Sequence, residues 1–188
     1  MDGLIYVQVG KDNLWLATRV QETLFFKDRY VGMKNLTDSA FGSFYANYWL
    51  TMTDGGNIGG MEGVRYTLGI SGIYMVECDN QSAWLGWFGV MKPYRRKGYA
   101  TEMLKHFEDV ARRRGYKYAR LYTEHDNTGA KAFYEKNGYT CEPYECEEDP
   151  YPEKIDIYSK PLGDYPCPLW GNRNLNLDVE LRAKNEKR

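Results

Sequence analysis

One stretch of the chain leaves little choice of topology. Residues 83–90, AWLGWFGV, are a continuously apolar run bounded by CDNQS before it and Pro93 after it. Such a run reads as a short strand buried on both faces. The basic loop KPYRRKG follows, and then a segment from Thr101 to Arg114 in which Met103, Leu104, Phe107, Val110 and Ala111 form one apolar helical stripe. Glu102 falls in the first turn of that helix and Arg112, Arg113 and Arg114 in its last, which suits the macrodipole. Gly115 supplies the stop. The next segment, YKYARLYT, alternates as a strand. Strand, loop, helix and strand in this order make a βαβ unit with parallel strands and a right-handed crossover, and therefore an α/β chain.

The flanking segments read less sharply. LIYVQV near the start is a strand, residues 12–30 are a helix, and NYWLTM is a second strand. The glycine-dense TDGGNIGGMEG reads as a turn or mobile loop. VRYTLGISGIYMVE is a strand in which Gly69 and Gly72 suggest a bend or bulge. NTGAKAFYEKNG is a short helix opened by Asn127 and closed by Gly138, and GYTCEPY and IDIYSKPL are two further strands. Residues 163–188 read as an extension that wraps the surface and frays at RAKNEKR.

With 188 residues, 43% hydrophobic and 27% charged, the chain suits one well-formed core. A net charge of −1 gives no global attraction to nucleic acid or to an anionic membrane. Cations crowd between Lys92 and Arg120, and acids between Glu142 and Asp156. The arginines and lysines of the basic segment sit at opposite ends of one helix, not in a continuous stripe, which argues against a nucleic-acid surface. Cys78, Cys141, Cys146 and Cys167 have no metal-ligand spacing, so no metal is expected and the thiols read as free. The N-terminus lacks a signal-peptide pattern and no run of about 18 apolar residues is present, so a cytoplasmic chain with no membrane partner is expected.

The basic loop lies between the end of an apolar strand and the start of a helix. A helix N-terminus carries unpaired N–H groups and about half a positive charge. Arg95, Arg96 and Lys97 add cations, while Gly98 and the small Ala100 allow close backbone approach, so the loop suits a phosphate. Neither GxxxxGK[ST] nor GxGxxG is present. The alternative for these cations is a solvated surface.

Together with the Asn127-x-x-Ala130-x-x-Phe133-Tyr134 segment that follows, the stretch WLGWFGVMKPYRRKGYATEML resembles the GCN5-related N-acetyltransferase (GNAT) superfamily, over roughly residues 83–162, and one bacterial branch of it in particular. The resemblance implies a mixed central sheet flanked by helices, with residues 1–162 as a single domain, an acetyl-CoA-binding core over about 83–140, and 163–188 as an extension. It implies that Arg95, Arg96, Lys97, Gly98, Tyr99, Ala100 and Thr101 hold the pyrophosphate of acetyl-CoA. It further implies that Phe88, Gly89 and Val90 pair with the pantetheine arm, that Asn127 contacts the cofactor, and that Tyr134 protonates the leaving thiolate. On this reading Phe133 packs in the core and Tyr134 is exposed to a cleft.

The implied reaction is acetyl transfer to a primary amine by direct attack in a ternary complex. An alkylamine must first lose a proton. The strand from Trp84 to Met91 has no carboxylate, whereas family members often keep one there or near it. Glu77 and Glu124 are the candidate bases, with Asp79 and His125 behind them and a water chain as the alternative. His106 reads as a surface residue. Trp84, Trp87 and Tyr74 either line an acceptor pocket or pack in the core, and the acidic run either favours a cationic acceptor or is a solvated face. A non-catalytic CoA-binding sensor or scaffold is the alternative function, and the chain is compatible with a homodimer.

Overall fold

The computed structural model describes residues 3–43, 45–53, 56–58, 61–76, 79–144 and 155–170. Its elements are β1 (Leu4–Gln8), α1 (Leu14–Leu24), α2 (Arg29–Ala40), β2 (Ala46–Thr53), β3 (Gly56–Ile58), β4 (Met61–Val64), β5 (Thr67–Tyr74) and β6 (Ser82–Val90). Then come α3 (Tyr99–Arg113), β7 (Tyr118–Glu124), α4 (Thr128–Lys136), β8 (Thr140–Tyr144) and β9 (Ile155–Pro161). Seven strands form one mixed sheet in the order β1-β2-β5-β6-β7-β9-β8. The sheet and its helices establish the α/β class. Contacts divide the chain into two compact units, one of residues up to Tyr74 with Gly86–Phe107, the other of Met75–Leu85 with Glu108 onward. Strand β6 contributes to both.

In the first unit, β2 pairs antiparallel with β1 and with β5, and its register with β5 shifts between Thr51 and Met52. Gly69 and Gly72 are needed for close approach. A Cβ on Gly69 would lie 2.2 Å from the Gly89 carbonyl oxygen, and one on Gly72 2.0 Å from the Tyr48 ring. The predicted helix over 12–30 is interrupted. The helix α1 ends at Leu24, a 3-10 turn spans Phe26–Asp28, and α2 begins at Arg29. That second helix is missing from the sequence reading because its buried residues are Gly32, Asn35, Leu36 and Ser39, which make no apolar stripe. The glycine-rich loop contains an antiparallel hairpin of β3 and β4. His106 is a second correction. Its ring stacks on Tyr6 at 3.6 Å and meets Trp49 edge-on at 5.7 Å, so it packs between α3 and the sheet.

In the second unit, β7 runs parallel to the start of β6, with Ser82, Ala83 and Trp84 opposite Tyr118, Ala119 and Arg120. It runs antiparallel to β9, which pairs with β8. The centre of this unit is a buried arginine. Arg120 donates through Nε to Ser82 Oγ at 3.1 Å, through Nη1 to Ser159 Oγ and through Nη2 to the Pro168 carbonyl at 2.8 Å. Asp79 Oδ2 stands 3.5 Å from its Nε, and its guanidinium lies over the Trp170 ring. Trp170, fully buried, packs edge-on against Trp84 at 5.0 Å and donates its backbone N–H to Glu142. The segment RAKNEKR lies outside the described residues.

Removing Arg120 would leave the Asp79 carboxylate buried without its cation. Such losses cost about 3–5 kcal/mol. The variant Arg120→Leu is therefore expected to unfold at markedly lower urea than the parent, and an unchanged midpoint would show that the network contributes nothing net.

Candidate active site

Strand β6 changes character along its length. Ser82 to Leu85 are buried, but Gly86 to Gly89 are only half-buried, which corrects the expectation of a strand covered on both faces. Trp87 has φ of 44°, a left-handed conformation that is rare for a bulky residue. The ladder with β7 covers Ser82 to Trp84, and among the described residues no later residue of β6 belongs to it.

From Val90 the chain passes through a 3-10 turn at Lys92–Tyr94 into the basic loop. Arg95 turns back, donating from Nε to the Val90 carbonyl at 2.9 Å, so it braces the loop against the strand end. Arg96 and Gly98 both have positive φ, 61° and 84°. Alternation of this kind points successive N–H groups to one side, as in anion-binding nests. The amides of Thr101 and Glu102 bond to the Gly98 carbonyl at 3.0 and 3.3 Å. Among the described residues the amides of Arg96, Lys97, Gly98, Tyr99 and Ala100 have no partner. Arg95, Arg96, Lys97 and Gly98 are exposed, and Tyr99, Ala100 and Thr101 half-exposed. Glu102, in the first turn of α3, is paired with Lys105 at 3.0 Å. These residues are consecutive and lie in one unit, beside Phe88, Gly89 and Val90.

The remaining predicted residues belong to the second unit. Asn127 is exposed and caps α4, its Oδ1 accepting from the Ala130 amide at 3.2 Å. Tyr134 and Phe133 exchange the positions expected of them. Tyr134 is 7% exposed, whereas Phe133 is half-exposed. The Tyr134 ring packs against Tyr139 and Tyr158, with centroids 5.9 and 5.6 Å away. Burial pushes its hydroxyl well above the ordinary phenol value. Trp84 is likewise core, with Nε1 donating to Asp79 Oδ2 at 3.0 Å, and Tyr74 is buried. Asp79 also accepts from Ser82 Oγ at 2.9 Å, so it is a structural carboxylate and not a free base. Glu124 is exposed at the end of β7. Glu77 lies outside the described residues.

Of the acidic run, residues 145–154 lie outside the described residues, and the acids at its two ends have partners. Glu142 accepts from Trp170. Asp156 is buried in β9, with Oδ1 3.0 Å from His125 Nδ1 and Oδ2 2.5 Å from Lys131 Nζ. Residues missed by sequence reasoning stand at the end of α1. Leu24 and Phe25 lie over the face of β6 at Gly89, where the sequence read one continuous helix through residues 12–30.

The model of the acetyltransferase (GNAT) family matches residues 19–139. The chain belongs to that family; it is an N-acetyltransferase, and acetyl-CoA is its acyl donor. No curated protein sequence matches it. Among solved structures, it is similar to a GNAT-family protein from Desulfovibrio desulfuricans, with TM-score 0.70 and 14% identity over 86% of this chain and 100% of the other. It is also similar to the spermidine N-acetyltransferase of Vibrio cholerae in complex with CoA and spermine, with TM-score 0.63 and 12% identity over 85% and 95%. A third is a ribosomal L7/L12 alpha-N-protein acetyltransferase in complex with CoA, with TM-score 0.61 and 14% identity over 84% and 93%.

Burial pushes the Asp156 carboxyl up, but hydrogen bonds from Lys131 and His125 outweigh it and hold the group below its ordinary value. A carboxyl depressed on folding contributes stability above its unfolded value, near pH 3.9, and that stability is lost as pH falls through the folded value. Lys131→Met removes one of the two supports, so its acid-unfolding midpoint, followed by circular dichroism, should move to higher pH. A midpoint equal to or below the parent's would contradict the assignment.

Proposed function

We propose that the chain transfers the acetyl group of acetyl-CoA to a primary amine by direct attack in a ternary complex, with the pyrophosphate held by Arg96 to Ala100. The observation that carries this reading is the run of five successive backbone amides, Arg96 to Ala100, that have no partner among the described residues and lead into α3. Exposed Arg96 and Lys97 add charge there, and Gly98 leaves its Cβ position open, with nothing within 4 Å. An anion is the ligand that satisfies such donors. Arg95 shapes the loop through Val90, and Thr101 stands half-exposed in the first turn of α3. The backbone of Phe88, Gly89 and Val90 receives the pantetheine arm, and the Asn127 side chain, whose Nδ2 is not used by the cap, donates to the cofactor.

The amine arrives as an ammonium ion and gives up a proton to Glu124 or Glu77, or through water. Its lone pair forms the new C–N bond at the thioester carbonyl, the oxyanion accepts from the Val90 amide, the C–S bond breaks, and the extra proton on the nitrogen leaves through water as the sulfur gains one, so that a neutral amide and a thiol remain. The departing thiolate is met by the Tyr134 hydroxyl. Because burial keeps this phenol protonated throughout the working pH range, it is always loaded as a donor. The same shift widens its gap from a thiol, ordinarily about 1.5 units, so hydrogen bonding to the developing thiolate charge is the larger part of its action.

The acceptor class is a primary amine. The Vibrio cholerae neighbour's name specifies spermidine and another neighbour's a protein N-terminus, so polyamines and peptide N-termini are the acceptors to try first. We place the protein in the cytoplasm, which suits the free thiols of Cys141 and Cys167. No helix among the described residues is long and apolar enough to cross a membrane.

Calorimetric titration with acetyl-CoA, followed by spermidine and an N-terminal peptide, tests the reading. Gly98→Asp forces an L side chain into φ of 84° and sets a carboxylate among the anion donors. Its CoA affinity should fall roughly 10- to 100-fold, equivalent to about 1.4–2.8 kcal/mol, and unchanged affinity in a folded variant would remove the basis for this site. Tyr134→Phe should lower kcat on the order of 10²-fold with CoA binding intact. Equal turnover would take Tyr134 out of the mechanism.

A further inference from the structure

We propose that Leu24 and Phe25 form a gauge over Gly89 that limits the donor's acyl group to a short chain. This inference rests on the reading above, in which the thioester lies along Phe88 to Val90. The helix α1 stops at Phe25, whose φ of −134° and ψ of 58° turn its side chain out of the helical path while its amide still bonds to the Gln21 carbonyl at 2.8 Å. The two consecutive phenylalanines then diverge. Phe26 is exposed, and the Phe25 ring lies against β6.

A Cβ added at Gly89 would stand 3.1 Å from Leu24 Cδ1 and 3.1 Å from Phe25 Cζ. The volume over that α-carbon is therefore already taken by α1. The wall is extended by Trp87, which meets Phe25 edge-on with ring centroids 5.2 Å apart. Leu24, Phe25 and Trp87 are each half-buried, so part of every side chain remains open to a ligand.

The wall is braced as well as placed. The Asp28 amide bonds to the Phe25 carbonyl at 3.0 Å, Arg29 Nη1 donates to the Phe26 carbonyl at 3.1 Å, and Gln21 Nε2 donates to the Asp28 carbonyl at 3.3 Å. Gln21 in turn fills the space above Gly32 of α2. These bonds fix the backbone of the turn that carries Leu24 and Phe25. An acetyl group ends in one methyl, whereas propionyl and butyryl donors add methylenes that must displace Leu24 or the Phe25 ring.

The test is direct binding, which needs no acceptor. The full chain and its Phe25→Ala variant are titrated calorimetrically with CoA, acetyl-CoA and butyryl-CoA. The parent should bind acetyl-CoA at least about tenfold more tightly than butyryl-CoA, as a pocket lacking room for extra methylenes does. Phe25→Ala should bring the two donors within about twofold while leaving unacylated CoA as in the parent. Leu24→Ala provides the same comparison if Phe25→Ala does not fold. Equal binding of both donors by the parent, or an unaltered ratio in the variants, overturns the gauge and leaves the CoA site standing. Failure of CoA itself to bind removes the site reading and the gauge with it.

Discussion

The left-handed backbone at Trp87 is the constraint on which the site depends. A bulky residue in that region is strained by about 1–2 kcal/mol and persists only where its surroundings over-determine it. Here they do. A Cβ on Gly86 would meet the Tyr74 ring at 3.0 Å and the Tyr48 ring at 3.4 Å, and the space above Gly89 is closed by Leu24 and Phe25. The two glycines let aromatic and aliphatic side chains approach the strand on either side of Trp87.

The second unit is organised around the opposite kind of interaction. Arg120 is a buried cation whose donors reach two hydroxyls and a carbonyl, with the Asp79 carboxylate beside it. It joins β7 to the start of β6, to β9 and to the segment ending at Trp170. That assignment explains why Asp79 is not available for proton transfer. The Asp79 carboxylate accepts from Trp84 and Ser82 and faces Arg120, so its oxygens are committed to the core. The tyrosines follow the same logic. Packing Tyr134 among Tyr139 and Tyr158 buries its ring and pushes its hydroxyl well above the ordinary phenol value.

The βαβ unit was legible because its signals are local. The stripe of Met103, Leu104, Phe107, Val110 and Ala111 is buried as its spacing requires, Gly115 stops α3 with φ of 82°, and Asn127 opens α4. The position of the basic loop was legible for the same reason, since a glycine, a run of cations and a helix start are all read within six residues. The second helix, α2, was not, because a helix packed through Gly32, Asn35 and Ser39 shows no hydrophobic period. His106 was misread because stacking on Tyr6 needs no apolar residue at its position.

What the sequence determined by itself was the order of strands and helices from β6 to α4 and the place of the basic loop before α3, because capping, periodicity and turn chemistry act between near neighbours. Only the tertiary structure decided which of Phe133 and Tyr134 would be buried, which carboxylates would be bound, and what would stand over Gly89. Each of those depends on a partner far away in the chain. Asp79 meets Arg120 and Gly89 meets Phe25. The free energy that selects such pairs is desolvation and packing, which no local pattern encodes.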